Sequence, residues 1–117
     1  MWSFIKRFIE GHNRQIDDLR IRSEKGDMGA LCELGLSHQT GDGVKKNPQK
    51  AASFFRIAAE AGDTRAQCFL GECYARGNGV PVDHEQAVYW YRKSAEQQDA
   101  VAQFLLGLCY YLGDGVP

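Results

Sequence analysis

One four-residue stretch occurs three times in the chain and constrains its fold more than any other feature. Each copy consists of a glycine, an aspartate or asparagine, a second glycine and a valine. The copies begin at Gly41, Gly77 and Gly113, so successive copies are 36 residues apart without an insertion. Self-similarity at a period of this size is typical of repeat proteins, in which each unit packs on its neighbours. The sequence therefore predicts a stack of similar units.

The segment before each loop has the pattern of a helix, which we call helix A. In the first full repeat it is predicted at about Met28–Gln39, with Asp27 as N-cap and Gly41 as the left-handed residue after its end. The third copy is predicted to form a helix at about Ala100–Leu112. Each helix A also carries an internal glycine, at positions 35, 71 and 107, which costs about 1 kcal/mol relative to alanine. We expect close approach of a partner-helix backbone to offset that cost.

The segment after each loop is predicted to form a second helix, helix B. Asn47-Pro48 supplies a cap and a proline at the first helical position, and Asp83 with Gln86 predicts a capping box. Gly62 ends the first helix B, whereas Gln98 stands where a positive φ is expected in the second. The predicted buried stripes comprise small and aromatic residues, namely Ala51, Phe54, Phe55, Ala58 and Ala59, and then Ala87, Trp90, Tyr91, Ser94 and Ala95.

The third copy contains helix A and its loop but no second helix within the 117 residues. Leu105, Leu106, Cys109 and Tyr110 therefore lack a covering helix. Exposed apolar surface of this kind is typical of an interface. Two interpretations follow: the array continues beyond this sequence, or another chain supplies the missing helix.

Composition excludes several classes of function. A net charge of −1 gives no overall attraction to nucleic acid or to an anionic membrane. No apolar run approaches the roughly 20 residues that span a bilayer. The cysteines Cys32, Cys68, Cys73 and Cys109 fall in pairs one repeat apart, too far for disulfides between stacked helices. We therefore expect four free thiols and a reducing, cytoplasmic environment.

Residues 1–14 are predicted to form an amphipathic helix outside the repeats. Trp2, Phe4 and Phe8 share its apolar face. This helix either caps the stack or docks on a membrane surface or a partner. It either continues into the repeats or breaks at Gly11-His12-Asn13. The repeat domain is expected at residues 15–117, divided into a half-repeat at 15–29, repeats at 30–65 and 66–101, and a partial repeat at 102–117.

Candidate chemical sites are weak. The three histidines and four cysteines lack the spacing of a zinc site, so we predict no metal and no cofactor. Ser3-Phe4-Ile5-Lys6 matches the Ser-x-x-Lys pattern of penicillin-interacting enzymes but lacks the companion motifs. The glycine loops lack the Lys-Ser/Thr of a phosphate-binding loop and follow helices, so helix termination explains them better. We predict no catalytic residues.

The second full repeat closely resembles the Sel-one-like repeat, a branch of the tetratricopeptide-like helical repeats. The resemblance rests on Ala66, Leu70-Gly71, Tyr74, the loop from Gly77 to Val80, and the residues Asp83, Ala87, Trp90, Lys93 and Ala95. It extends over about residues 29–117. The first copy departs from the pattern in having His38 where tyrosine is usual.

This resemblance implies an all-α fold, a right-handed αα-solenoid whose concave surface is lined by the A helices. It also implies a non-enzymatic adaptor or scaffold that binds a protein or peptide. Carried onto this sequence, it predicts Phe104, Leu108 and Tyr111 as apolar anchors, with Arg65 and Glu72 giving polar selectivity. The predicted partner-binding residues are Leu36, Gln39, Arg65, Cys68, Glu72, Val101, Phe104, Leu108 and Tyr111.

Two other functions were weighed against this one. The chain could be a structural unit that self-assembles through its uncovered third-copy helix, giving a homo-oligomer. It could also be a hydrolase, by likeness to a cysteine-rich, penicillin-binding branch of the family. That branch carries disulfides across each helical hairpin, and here no helix B contains a cysteine, so the hydrolase is disfavoured.

Overall fold

The computed structural model describes the backbone of residues 1–117 and the side chains of residues 1–7 and 14–117. Within this range the chain forms six α-helices and no strand. They are α1 (Trp2–Glu24), α2 (Met28–Thr40), α3 (Pro48–Glu60), α4 (Thr64–Arg76), α5 (His84–Glu96) and α6 (Ala100–Leu112). The A helices are α2, α4 and α6, and the B helices are α3 and α5. The all-α repeat fold predicted from the sequence is confirmed.

The ends of the helices follow the local signals. The Asp27 carboxylate accepts a hydrogen bond of 3.0 Å from the Ala30 N–H, and Asn47 caps α3 in the same way. Gly41 has φ 80° after α2, and the two later loops repeat this geometry. The capping box predicted at Asp83 is wrong in one respect. Its carboxylate does cap α5, but its own N–H donates to the Tyr74 carbonyl, which leaves no donor for Gln86.

The helices stack in chain order into an elongated molecule of 57 × 27 × 23 Å. Each helix packs on the one before and the one after it, and α2 also touches α4 directly. The A helices therefore form one row and the B helices another. Similar hydrogen bonds recur between the rows, because the side-chain amides of Gln67 and Gln103 donate to the Ala59 and Ala95 carbonyls at 3.2 and 3.3 Å.

The glycine inside each covered A helix makes room for an aromatic ring. A Cβ atom on Gly35 would lie 2.6 Å from the Phe55 ring, and one on Gly71 would lie 2.6 Å from the Tyr91 ring. Close packing was expected here, but chiefly against the partner backbone, and the main contact is with the ring instead. Both rings are buried, as most of the predicted stripe is, although Phe54 is only partly buried.

The second glycine of the loop has a role that helix termination does not explain. A Cβ atom on Gly79 would overlap the carbonyl oxygen of Pro48, at the start of the preceding helix B. A Cβ atom on Gly115 would overlap the carbonyl oxygen of His84, one repeat later. The loop backbone thus rests directly on the preceding repeat.

Helix α1 joins the stack through its second half. Ile16 and Leu19 are buried in the core, and Leu19 stands 36 residues before Phe55. The backbone of Gly11–Asn13, where the sequence allowed a break, lies within α1, so the helix continues into the repeats. Among the described residues, no helix has the length and apolar character needed to cross a membrane.

Candidate functional site

The predicted partner-binding residues lie along the row of A helices but differ in exposure. Val101 and Phe104 on α6 are 58% and 69% exposed, and Leu108 and Tyr111 are 41% and 86% exposed. Leu36, Gln39 and Glu72 are partly buried, and Arg65 is exposed. Cys68 is only 6% exposed. A ligand on this face would therefore meet Cys68 only at the floor of a depression.

Two adjoining depressions between α4 and α6 bring several of these residues together. The first has a volume of about 180 Å³ and is lined by Arg65, Cys68, Phe69, Glu72, Asp99 and Val101. The second has a volume of about 220 Å³ and is lined by Glu72, Ala75, Arg76, His84, Tyr91, Leu105, Leu108, Cys109, Leu112 and Asp114. Glu72 lines both, so they form one continuous groove, which we call the α4–α6 groove. Leu36, Gln39, Phe104 and Tyr111 lie outside it.

The charged residues of the groove are already partly engaged. A guanidinium nitrogen of Arg65 lies 3.6 Å from a carboxylate oxygen of Glu33 on α2. Both side chains are about half exposed, so this ion pair is weak and can exchange for a ligand contact. At the other end, Arg76 faces the groove along with Asp114. The charges are therefore mixed, while the α6 wall is apolar.

Phe69 was missed from the sequence, and Leu105 was predicted only as part of the uncovered face of the third copy. Phe69 and Leu105 are equivalent positions in successive repeats, and each precedes the Leu-Gly pair of its helix. Their shared 36-residue spacing is the signal that could have identified them. Asp99 was recognised only as a helix cap, yet it also lines the groove. Asp99 can both cap α6 and line the groove because it immediately precedes α6, at the edge of the A-helix row.

The outer face of α6 is open where the corresponding face of α4 is covered by α5. Leu106 and Cys109 are partly exposed, and a Cβ atom on Gly107 would meet nothing within 4 Å. The equivalent Leu70 and Cys73 are fully buried. This open face adjoins the α4–α6 groove and adds to the apolar surface of α6.

The N-terminal docking residues are exposed where the structure describes them. Trp2 is 73% exposed and Phe4 is 72% exposed. Phe8 lies outside the residues whose side chains are described. The described part of the predicted face is thus accessible, and its role remains a prediction.

The cysteine thiols are free and protonated at neutral pH. Burial raises the pKa of Cys32 and of Cys68 to about 12, and that of Cys73 to about 11. Since the thiolate is the nucleophile and the metal ligand, these groups are poorly suited to either task. No group of three or more His, Cys, Asp and Glu side chains that could hold a metal occurs in the described part of the chain.

Comparisons with known proteins agree with this architecture. The family model of the Sel1 repeat matches residues 29–63, 64–99 and 100–117. A search of curated proteins finds no match. Among solved structures, a protective antigen present in uropathogenic Escherichia coli strains and displaying an SLR fold is 40% identical, with a TM-score of 0.83. A Sel1 repeat protein from Oxalobacter formigenes is 38% identical, with a TM-score of 0.82.

The chain is shorter than these two structures. It is matched over 86% and 87% of its own length but spans 22% of the Escherichia coli chain and 41% of the Oxalobacter chain.

Proposed function

The chain belongs to the Sel1 repeat family, and from this premise we propose that it is a non-catalytic adaptor that binds a protein or peptide through its row of A helices. Proteins of this family are commonly interaction modules. The observation that carries the proposal is the α4–α6 groove beside the exposed apolar residues of α6. Val101, Phe104 and Leu108 are 58%, 69% and 41% exposed on one helix, next to a concave, partly polar surface.

The groove supports a ligand with apolar side chains and a few polar groups. Its apolar wall is formed chiefly by residues of α6, and its polar groups come from α4, from Asp99 and Asp114 at the two ends of α6, and from His84 at the start of α5. Interfaces of this kind draw most of their binding energy from a few aromatic or arginine residues surrounded by weaker contacts. We assign the main anchor to Phe104, which is the largest exposed apolar side chain bordering the groove. We expect Arg65 and Glu72 to fix the position of the ligand along the groove through polar contacts.

The test compares Phe104→Ala with a matched control, Ile57→Ala. Both residues are exposed apolar positions on helices, at 69% and 53%, but Ile57 lies on α3 in the row of B helices. Peptides that bind the unaltered protein are first selected from a displayed library, and their affinities are then measured by calorimetry.

We expect Phe104→Ala to weaken binding at least about tenfold, the size of a hot-spot contact, without lowering the melting temperature. Ile57→Ala should leave affinity unchanged. Equal effects of the two substitutions, or no effect of either, would remove the A-helix face as the binding surface.

A second function, self-assembly through α6, is favoured by one observation. The space above Gly107 is open, whereas the equivalent space above Gly71 holds the Tyr91 ring. A helix from a second copy could cover this face and give a homo-oligomer. Light scattering over a range of concentrations tests this, and a monomer at all concentrations would contradict it.

Two further assignments complete the proposal. The four free thiols support a reducing, cytoplasmic location. Residues 1–14 are assigned to a segment set apart from the repeat domain at 15–117, and the packing of α1 on the first repeat comes from Ile16 and Leu19 instead. The exposure of Trp2 and Phe4 leaves this segment available for docking to a partner or a membrane surface.

A further inference from the structure

The B-helix arginines occupy equivalent positions and make equivalent contacts in two of the three repeats. Arg56 donates a hydrogen bond to the Tyr74 hydroxyl, and Arg92 donates one to the Tyr110 hydroxyl. In both pairs the guanidinium carbon lies 5.7 Å from the centroid of the tyrosine ring. The arginine and the ring together fill the space between one helix B and the next helix A.

The first repeat lacks this pair. Arg20 stands 36 residues before Arg56, but the residue 36 before Tyr74 is His38. The imidazole is shorter than a phenol and packs edge-on against Phe54, with the ring centroids 5.5 Å apart. Arg20 instead lies 3.5 Å from Asp17 on its own helix. An open depression of about 560 Å³ lies where the arginine–tyrosine contact would be.

One of the residues that line this depression has a buried ring nitrogen without a hydrogen-bond partner. His38 lines it, is 6% exposed, and its Nδ1 atom has no hydrogen bond. A buried side-chain nitrogen left unpaired costs about 1–3 kcal/mol, and such groups are rare enough to need an explanation. Burial is the main reason that the pKa of His38 is lowered, and like-charge repulsion from Lys50 and Arg20 adds to it, whereas a hydrogen bond to the Lys45 backbone acts in the opposite direction. The imidazole is therefore neutral at pH 7.

Cationic residues from three elements line the same depression. Arg20 comes from α1, Lys45 and Lys46 from the loop after α2, and Lys50 from the first turn of α3. None of the described residues that line it is acidic. The pair between Arg20 and Asp17 is more than half exposed on both sides, so it is weak and easily exchanged.

This charge is particular to the first repeat. Lys45 and Lys46 correspond to Pro81 and Val82 in the second repeat, and Lys50 corresponds to Gln86. The loss of the tyrosine and the gain of three lysines therefore occur together, in a chain whose net charge is −1. The positions at which the first repeat differs from the second therefore line the same depression.

We propose that this depression is a binding site for a phosphate group carried by a ligand as a monoester. Four cations exceed what a single carboxylate would balance, and a phosphate dianion accepts hydrogen bonds on three oxygens. Arg20 offers a planar pair of donors, and the lysines act as flexible point charges. The bound anion also relieves the repulsion between these cations.

The experiment measures binding of two probes to the full chain by calorimetry, at constant ionic strength set with sodium chloride. The probes are inorganic phosphate and a short peptide with one phosphoserine, and the same peptide with serine is the control ligand. We expect saturable binding of a phosphate-bearing probe and none of the serine peptide. If the phosphopeptide binds more tightly, the phosphate is presented by a protein. If inorganic phosphate binds equally well, the ligand is a small phosphate compound.

Variants separate the site from general charge effects. The double substitution Lys45→Glu/Lys46→Glu should weaken binding at least tenfold, and Lys25→Glu/Lys93→Glu, which changes the net charge equally elsewhere, should not. His38→Tyr should restore the arginine–tyrosine pair, fill the depression and also weaken binding at least tenfold, with circular dichroism showing an intact fold. Tyr74→His should open the second repeat without adding a phosphate site, since the lysines are absent there.

The proposal fails if neither phosphate-bearing probe binds saturably. It also fails if the two double charge reversals weaken binding equally, because that result would show attraction to overall charge instead of to this depression.

Discussion

Helices α4 and α6 carry nearly the same motif in different surroundings. Residues 70–74 read Leu-Gly-Glu-Cys-Tyr, and residues 106–110 read Leu-Gly-Leu-Cys-Tyr. In α4 the tyrosine is 9% exposed, and in α6 it is 50% exposed. The motif encodes the helix in both places, but burial comes from α5, which covers α4 and has no counterpart over α6. The repeat motif therefore specifies a helix with an apolar face, whereas the burial of that face depends on the next helix.

The one difference within the motif is at its centre. Glu72 of α4 corresponds to Leu108 of α6, and Leu108 is 41% exposed. The helix with less cover is therefore also the more apolar one. This combination is the basis of the proposal that α6 carries the binding surface, with α4 as its polar edge.

The largest expected difference between the two helices comes from their equivalent leucines. Leu70 is fully buried, so Leu70→Ala should lower the free energy of unfolding by about 2–5 kcal/mol. Leu106 is partly exposed, so Leu106→Ala should lower the free energy of unfolding by less than about half that amount, because its side chain buries less apolar area. Urea denaturation measures both. Equal losses would show that α6 is covered in solution.

The equivalent glycines should respond with opposite signs. In Gly71→Ala the new Cβ atom would lie 2.6 Å from the buried Tyr91 ring and 3.2 Å from the Ala87 carbonyl oxygen, so we expect a loss of about 1–3 kcal/mol. In Gly107→Ala nothing lies within 4 Å, so helix propensity should add up to about 1 kcal/mol. Thermal unfolding of the two variants measures both changes in stability. A loss at both positions would contradict an open α6 face.

The residues that precede α4 and α6 give the smallest difference. Gly62 has φ 97° before α4, and Gln98 has φ 69° before α6, as the sequence predicted. A side chain in the left-handed region costs about 1–2 kcal/mol, so Gln98→Gly should raise the free energy of unfolding by about 1 kcal/mol. The reverse change, Gly62→Gln, should lower it by a similar amount. An unchanged urea midpoint for Gln98→Gly would show that this turn carries no strain.

The sequence was sufficient for the features that depend on local chemistry. Helix caps such as Asp27 and Asn47 act on N–H groups three residues away, so their effect can be predicted without tertiary structure. The 36-residue period then placed equivalent helices side by side. The bounds of α2 and α6, the left-handed conformation of Gly41 and the positive φ at Gln98 were predicted for this reason.

The sequence was insufficient where several elements meet. Cys68 was assigned to the binding face by its position on the helix, but its 6% exposure depends on how the neighbouring helices pack around α4. The depression around His38 needs the positions of α1, the loop and α3 at once. Its members are distant in sequence. The sequence shows that His38 replaces the tyrosine of the other repeats, but only the structure shows that Arg20 lies at the same depression.

The second glycine of each loop has a consequence for the shape of the whole array. At Gly79 and Gly115 the backbone of one repeat touches the backbone of the repeat before, with no side chain between them. The distance between neighbouring repeats is therefore fixed by main-chain atoms, which are the same in every copy whatever the side chains are. Side chains on the A-helix face can then vary to suit a ligand without altering the pitch of the superhelix. A methyl group at either glycine would force the repeats apart and change the curvature along which a bound partner must lie.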